Sequence, residues 1–444
     1  RDTDRSRGLG DVYKRQMEER KTASEKASLL DRLFGGDRIL WIIIAILSII
    51  SLLVIYSSTA SMAYRNAGGD TAHYFFQQLQ FILLGFAAMI VIQRFNYQRY
   101  ARPRLLSIVF ITALILMLMT FFVGVNLNEA TRWLKVPGLR VTFQPSDFLR
   151  IALIAILARQ LAKRQVGIER MPLLPALTLR GWKKNPEKNI NILMHNTLPI
   201  LGPIVLACGT IFISNFSTSA ITFCTCWIML YVGRVKTKEL VKLLVLIAGV
   251  MILAVSVMYI FNIGRSHTWV NRLGIGTLVN QTEQTEMQNE DDNLQQEQAR
   301  IAIASGGLLG KGPGNSTQRS NLPHSYSDFA YAFIVEEYGL VGAVTILFLY
   351  LCIFFRGIVI FRRCGTAFPG LLVLGLCLMI TFQAICNMLV SVCLFPVTGQ
   401  TLPLISLGGS SIVFTCMALG LILGISRQVK EQSLDRPRKE SLLE

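Results

Sequence analysis

The chain has 444 residues, of which 52% are hydrophobic and only 16% are charged, and its formal net charge is +17. A soluble fold of this length cannot bury so much apolar surface, so the composition excludes an ordinary soluble domain. The basic residues form short clusters at alternate ends of the apolar runs, without one patch of interleaved aromatics, which argues against nucleic acid as a partner. The sequence therefore predicts an integral membrane protein.

Residues 1–38 precede the first apolar run. Val12–Gln16 is the peptide that a common sequencing-adapter stretch encodes, and Met17 follows at once. We therefore predict that residues 1–16 are a non-native leader and that residues 17–38 are a cytoplasmic segment. The first apolar run is too long for a signal peptide and lacks a small-residue cleavage site, so it is expected to remain as the first spanning helix.

Ten apolar segments are predicted to cross a hydrocarbon core of roughly 30 Å as helices. Lys and Arg concentrate before the first segment and after every second one, which predicts that both termini are cytoplasmic. The expected fold is an all-α polytopic membrane protein with a transmembrane domain over 39–426, a tail over 427–444, and one large extracytoplasmic loop, 264–327, between the seventh and eighth helices. The predicted spans are 39–60, 75–93, 105–124, 146–161, 197–214, 217–233, 239–263, 328–355, 369–395 and 404–426.

The large loop contains an acidic stretch and then a glycine-rich one. A carboxylate of Glu283–Glu297 can act as a general base, although a solvated acidic loop is the simpler interpretation. The glycines of Gly306–Gly314 let backbone N–H groups approach an anion closely, and Lys311 adds a point charge. Because Gly312 follows Lys311 where a Walker loop has Ser or Thr, an ATP site is excluded, and a tight turn is the alternative.

A second group of charged residues surrounds the start of the predicted fourth span. Asp147 and Arg150 lie three residues apart on one helical face and can pair. Ionisable residues near or inside a span are costly unless they pair or line a wet cavity, so they are candidates for a functional site, with a structural ion pair as the alternative. The same argument applies to Asp328, Glu336 and Glu337 at the start of the eighth span.

Pro396–Ser411 is an uncharged segment whose prolines and glycines interrupt helical geometry between the last two spans. Broken backbone at membrane depth has to be buried or to line a cavity. Its hydroxyl groups can contact a polar ligand, and helix packing by small residues is the alternative. Eight of the nine cysteines lie within apolar runs and the four histidines are scattered, so neither a disulfide framework nor a metal site is predicted.

Three segments together resemble the SEDS (shape, elongation, division and sporulation) family of bacterial cell-wall polymerases, the FtsW/RodA proteins. They are Thr131–Arg150, Gln298–Gly342 and Pro396–Ser411. The resemblance extends over essentially the whole chain after Met17 and implies a multi-pass protein of the bacterial cytoplasmic membrane. The stretch GKGPGNSTQR is more similar to the division-specific branch, which implies a place at the division septum.

By this resemblance, the chain is expected to be a glycosyltransferase that polymerises lipid II into glycan strands and releases undecaprenyl pyrophosphate. The implied partners are lipid II, a class B penicillin-binding protein (a transpeptidase), other division proteins and membrane lipid. A divalent cation, Mg²⁺ or Mn²⁺, is compatible with the diphosphate, although the sequence shows no recognisable set of metal ligands. A lipid II flippase and a noncatalytic scaffold of the division machinery are the alternatives.

The resemblance also assigns residues. The family's important aspartate stands seven residues before a Gln-x-x-Gln stretch, but here that position, counted from Gln295, is Gln288. The base is therefore assigned to the nearest aspartates, Asp291 and Asp292, with Asp292 preferred and Glu290 as a fallback. Asp147 and Arg150 stand where the family has Glu and Lys, and an Arg fork differs in geometry from a Lys point charge. The residues expected to bind substrate are Arg132, Trp133, Lys135, Gln144, Asp147, Arg150, Gln298, Lys311, Asn315, Ser410 and Ser411.

Overall fold

The computed structural model describes residues 34–59, 71–127, 130–135, 142–165, 168, 172–175, 179–260, 283–318, 328–396 and 399–440, and nearly all of its regular structure is helical. The predicted leader, most of the predicted cytoplasmic segment, and residues 264–282 and 319–327 of the predicted large loop lie outside these ranges. The helices are α1 (Arg38–Ser58), α2 (Thr71–Arg94), α3 (Tyr97–Tyr100), α4 (Pro103–Val123), α5 (Pro145–Arg164), α6 (Leu179–Lys184), α7 (Pro186–Ile192), α8 (Leu198–Ser214), α9 (Phe216–Val232), α10 (Thr237–Ile260), α11 (Glu283–Gly306), α12 (Ala330–Arg363), α13 (Ala367–Ser391) and α14 (Ser410–Glu440).

Seven helices within the described ranges are long and apolar enough to cross a membrane. They are α1, α2, α4, α12, α13, α14 and the continuous helix Pro186–Ser214, in which a π-helical turn, Leu193–Thr197, joins α7 to α8. The predicted polytopic helical fold is therefore confirmed. Of the other predicted spans, α5 carries charged residues at both ends and α9 is apolar but only 17 residues long.

The described residues between α4 and α5, which are 125–127, 130–135 and 142–143, add a small antiparallel sheet to the helical fold. Its strands are β1 (Val125–Leu127), β2 (Ala130–Lys135) and β3 (Thr142–Phe143), in the order β1-β2-β3. Val, Thr, Trp and Phe favour extended backbone, and strand pairing satisfies N–H and C=O groups that a loop would leave to water. This small sheet lies in the connection between α4 and α5, where no spanning helix was predicted.

The acidic stretch of the predicted loop also differs, since it lies in helix α11. Its Glu and Gln residues are good helix formers, and the apolar end of the helix gives it a packing surface. Ala299 of α11 is buried in a cluster with Phe329, Ala332 and Val390. This contact anchors the carboxyl-terminal part of α11 on α12 and α13.

Helix α5 connects two chemically different ends of the bundle. Its N-cap, Gln144, contacts the start of α14, where the backbone N–H of Gln144 donates to Ser410 Oγ (3.1 Å). Its last residue, Arg164, donates from Nε to the carbonyl of His195 (3.0 Å). A helix of 20 residues is about 30 Å long, so the two ends are separated by about the thickness of a bilayer core. We call them the site end and the basic end.

Candidate functional site

The predicted Asp147–Arg150 pair is present at the site end. Gln144 is the N-cap of α5 and Pro145 occupies its first turn, where the missing N–H costs no hydrogen bond. Arg150 is 2% exposed and Asp147 is 9% exposed, and Arg150 Nη1 lies 3.6 Å from Asp147 Oδ1. Arg150 Nη1 also donates to Gln383 Oε1 of α13 (2.8 Å). The guanidinium is thus fixed between two helices.

Part of this buried pair has no hydrogen-bond partner. Among the residues that the structure describes, Arg150 Nε and Nη2 and Asp147 Oδ2 are buried and form no hydrogen bond. Leaving a buried charged donor unsatisfied costs about 1–3 kcal/mol or more, and such groups in native proteins call for an explanation. Two unused donor nitrogens on a planar guanidinium suit an anionic group, because Arg presents paired donors in a fixed fork.

The serines at the start of α14 join this cluster. Ser410 Oγ accepts from the backbone N–H of Gln144, and the side chain of Ser411 lies near the Asp147 carboxylate. The side-chain Nε2 of Gln144 donates to Ser146 Oγ (3.0 Å). The structure therefore brings together five of the predicted substrate-binding residues: Gln144, Asp147, Arg150, Ser410 and Ser411.

The non-helical segment 399–409 packs beside the pair and is largely buried. Leu402, Leu404, Ile405 and Ser406 are each at most 2% exposed. Side chains of the surrounding helices donate to its carbonyls, which confirms the prediction that broken backbone at membrane depth is buried. The donors are Ser51 to Ile405 (3.0 Å), Gln383 to Thr401 (3.0 Å), Asn387 to Gln400 (2.7 Å) and Tyr350 to Pro403.

The glycine-rich stretch packs directly on the start of α12. A Cβ on Gly306 would lie 2.1 Å from the Val335 carbonyl oxygen, and one on Gly310 would lie 2.2 Å from that of Glu337. Gly310 also has φ +80, and Gly339, the residue at a kink in α12, has φ 66. Only glycine permits this backbone-to-backbone approach. We call residues 306–318 the glycine loop.

Glu336 holds the glycine loop in place. Its carboxylate is 0% exposed, and Oε1 accepts from Lys311 Nζ (2.8 Å), from both the amide (2.9 Å) and hydroxyl (2.9 Å) of Thr317, and from the amide of Gln318 (3.3 Å). Ser316 Oγ donates to Oε2. A buried carboxylate with this many donors is well stabilised. The Lys311 ammonium, 26% exposed, is thus shared with Glu336, and its predicted role toward a phosphate stays a prediction.

Glu337 fastens the same loop to α1. Its Oε1 accepts from the amide of Gly314 (2.9 Å) and from Ser57 Oγ of α1. The amides of Lys311 and Gly312 donate to the carbonyls of Glu336 and Glu337 (3.0 Å each). The consecutive carboxylates therefore tie the loop to α12 and α1.

The remaining predicted residues lie around this assembly, and their roles stay predictions. Trp133 is half-buried and Lys135 exposed on β2, whereas for Arg132 the structure describes the strand but not the side chain. Asn315 Nδ2 donates to the Lys311 carbonyl (3.1 Å) and Gln298 is half-buried on α11. The backbone of Asp291, Asp292 and Glu290 lies in α11, and their side chains are outside the description.

Sequence reasoning missed the polar face of α13. Gln383 bonds to both Arg150 and Thr401, and Asn387 donates to the carbonyls of Asp328 (2.8 Å) and Gln400 (2.7 Å). Both amides lie one helical turn apart in an otherwise apolar span, where polar side chains are rare and face the bundle interior. That spacing was the available signal.

A divalent cation was compatible with the expected chemistry. Within the described ranges, no group of three or more His, Cys, Asp or Glu side chains is arranged to hold a metal ion. A divalent cation beside the diphosphate therefore stays a prediction.

Comparisons with known proteins agree with the arrangement of these segments. A family model described as cell cycle protein, FTSW_RODA_SPOVE, matches residues 37–431. The probable peptidoglycan glycosyltransferase FtsW of Bacillus subtilis (strain 168) is 28% identical over 393 residues, which are 88% of this chain and 90% of the relative. Stage V sporulation protein E of the same organism is 30% identical over 397 residues, which are 88% of this chain and 97% of the relative.

A solved structure has the same fold. It comes from work on the structural coordination of polymerization and crosslinking by a peptidoglycan synthase complex, and its matching chain is 22% identical, with a TM-score of 0.60. The match covers 89% of this chain and 98% of that one. The family match, which includes the Asp147–Arg150 pair, the glycine loop and segment 399–409, is nearly complete. The chain therefore belongs to the FtsW/RodA/SpoVE family of cell cycle proteins.

Proposed function

We propose that this protein is a peptidoglycan glycosyltransferase that polymerises lipid II during septal wall synthesis in bacterial cell division. The observation that carries the proposal is the match, over 88% of the chain, to relatives named probable peptidoglycan glycosyltransferase FtsW. The site end supplies the chemistry that such a reaction needs. It combines a buried cation that has unused donors, a fixed loop and an acidic helix.

The reaction joins two saccharides without a nucleotide. A sugar hydroxyl attacks the anomeric carbon of a second, lipid-linked sugar, and a new C–O bond forms as the bond from that carbon to the diphosphate oxygen breaks. The hydroxyl proton passes to a carboxylate, and undecaprenyl pyrophosphate leaves with the bonding electron pair. A general base and positive charge near the leaving group therefore lower the barrier.

Arg150 is the group we assign to the diphosphate. Its free Nε and Nη2 donors are buried, and charge-assisted hydrogen bonds in a water-poor site are stronger than those at a surface. Gln383 and Asp147 hold the guanidinium and limit its rotation. The base is assigned to Asp292 or Asp291 of α11, with Glu290 as the fallback.

The location and partners follow the same proposal. We infer ten spans, with α5, α9 and α10 added to the seven that composition identifies, and a bacterial cytoplasmic membrane with both termini inside. The large extracytoplasmic loop, residues 264–327, would then place α11 and the glycine loop on the side where glycan is assembled. A class B penicillin-binding protein would cross-link the new strand, and other division proteins would recruit the pair.

The test uses the purified full-length protein in complex with its transpeptidase and supplied with lipid II. We expect wild type to make glycan, and Asp292→Ala or Asp291→Ala to abolish it, while Glu431→Gln, a change in an exposed pair at the basic end, leaves it unaltered. No glycan from an active complex would overturn the proposal. Lipid II translocation retained by wild type and both aspartate variants, without polymer, would instead support a flippase.

A further inference from the structure

A cavity of about 430 Å³ lies at the basic end, on the opposite side of the bundle from the candidate site. Its walls are the segment 172–175, helix α7 and the first turns of α10. Arg164 at the end of α5 bonds to His195, just beyond α7, whereas the start of α5 bonds to Ser410. The part of α5 between Arg150 and Arg164, about 21 Å long, therefore separates the cavity from Arg150.

The cavity walls are fixed by hydrogen bonds that cross between elements. Thr197 Oγ1 donates to the Leu173 carbonyl (2.6 Å), and Asn196 Nδ2 to that of Pro172 (3.4 Å). The Leu174 amide donates to Glu239 Oε2 of α10 (3.2 Å). Segment 172–175 is thus held against both the π-helical turn and α10, which makes the cavity a built feature of the fold.

The lining is basic. Lys184, Lys188 and Lys242 line the cavity together with a single acid, Glu239. Lys242 Nζ pairs with Glu239 Oε1 at 2.8 Å, so these two charges offset one another. Lys184 and Lys188 form no ion pair with any residue that the structure describes. Two positive charges are therefore available to an anion.

The continuous helix Pro186–Ser214, which carries Lys188, also has an exposed apolar flank. Ile190, Met194 and Leu198 recur every four residues along Pro186–Ser214, and each is more than half exposed. This continuous helix is long and apolar enough to span the membrane, and its basic cavity lies at its amino-terminal end. Ile190 and Met194 lie on the side of the helix away from Lys188 and Ile192, so the apolar surface next to the lysines is that of Leu174, Pro175 and Ile192 in the cavity lining itself. A phosphate with an attached apolar chain would contact both parts of this lining.

We propose that this cavity binds the phosphate headgroup of an anionic phospholipid, of the phosphatidylglycerol class, from the cytoplasmic leaflet. Basic pockets between spanning helices on the cytoplasmic side suit such headgroups, and the leaflet there carries negative charge. The headgroup phosphate would lie between Lys184 and Lys188, and the adjoining acyl carbons would lie against the apolar part of the cavity lining. This site is separate from the proposed polymerase site, and its test does not depend on glycan synthesis.

The experiment counts lipid bound to the full-length protein in detergent by native mass spectrometry, with phosphatidylglycerol titrated against a background of phosphatidylcholine. Each lysine near a charged lipid surface contributes about fivefold in affinity, so Lys184→Gln with Lys188→Gln is expected to weaken phosphatidylglycerol binding about 10- to 30-fold. Lys184→Arg with Lys188→Arg, which keeps the charge, is expected to bind within about threefold of wild type. The matched control is Lys236→Gln with Lys238→Gln, which removes two exposed lysines at the same end that do not line the cavity.

Each outcome decides the proposal. Weakened binding in the cavity variant alone supports it. Equal weakening in cavity and control variants would show general surface attraction and overturn it, as would no change in either. A competition arm with inorganic phosphate separates the two phosphate sources. If millimolar phosphate displaces phosphatidylglycerol as effectively as excess unlabelled lipid does, the cavity is a free-phosphate site and the lipid assignment is wrong.

Discussion

Glu336→Gln should release the glycine loop while leaving the rest of the fold in place. The wild-type carboxylate accepts five hydrogen bonds, from Lys311, Thr317, Gln318 and Ser316, and it is fully buried. Glutamine is nearly the same shape, but its NH₂ group faces donors and it carries no charge for the Lys311 ammonium. The substitution therefore removes the interactions and not the volume.

The expected cost follows from these contacts. A hydrogen bond to a charged group contributes about 1.5–3 kcal/mol, and the retained glutamine oxygen keeps part of the set. Because Lys311 is 26% exposed and can regain water, we expect a loss of about 2–4 kcal/mol in the free energy of local opening. The matched control is Glu431→Gln, which breaks the exposed Arg427–Glu431 pair and should cost about 0.3–0.5 kcal/mol.

Hydrogen exchange of the purified protein reads out this local opening. In peptides that cover 306–318, a loss of 2–4 kcal/mol accelerates amide exchange about 30- to 700-fold, while peptides from α13 keep their wild-type rates. The amides of Thr317 and Gln318 report most directly, since both donate to Glu336. Exchange within about threefold of wild type, or acceleration equal to that of the Glu431 control, would refute the assigned role of Glu336.

Three further changes test other contacts. Arg150→Gln keeps hydrogen-bonding capacity but loses the positive charge, so glycan formation from lipid II should fall at least about tenfold; an unaltered rate would contradict the diphosphate assignment. Gly310→Ala forces a Cβ to within 2.2 Å of the Glu337 carbonyl oxygen and should lower thermal stability, whereas Gly249→Ala, with nothing within 4 Å, should be neutral or stabilising by up to about 1 kcal/mol. Asn387→Leu removes the donor to the buried Gln400 carbonyl and to the partly buried Asp328 carbonyl and should cost about 2–4 kcal/mol in unfolding measurements in detergent, and a neutral result would contradict its bridging role.

The sequence predicts the membrane-spanning elements well because lipid imposes a simple requirement. A run of about 20 apolar residues has to be helical to satisfy its backbone, whatever its neighbours are. The last span shows the limit of this argument. Its predicted start was residue 404, but α14 begins at Ser410, because the apolar residues Leu404 and Ile405 lie in a buried non-helical segment. Hydropathy reports burial and does not distinguish helix from buried coil.

The site was predictable where its contacts are local. Asp147 and Arg150 pair at a spacing of three residues, which helical periodicity alone reveals. The bond from Arg150 to Gln383 joins residues 233 positions apart, and that from Lys311 to Glu336 crosses 25 positions. Such contacts depend on how helices pack, which one sequence does not specify. The glycine loop illustrates this point, since its glycines are required by the approach of α12.

The most direct test of the central claim is the stoichiometry of lipid II turnover by the purified protein and its transpeptidase. Polymerisation predicts that one undecaprenyl pyrophosphate is released for every glycosidic bond formed. Glycan and undecaprenyl pyrophosphate should be lost together in the base variant, Asp292→Ala or Asp291→Ala. Arg150→Gln should reduce both in parallel. Lipid II that is consumed, moved or bound without a matching release of undecaprenyl pyrophosphate would contradict the account.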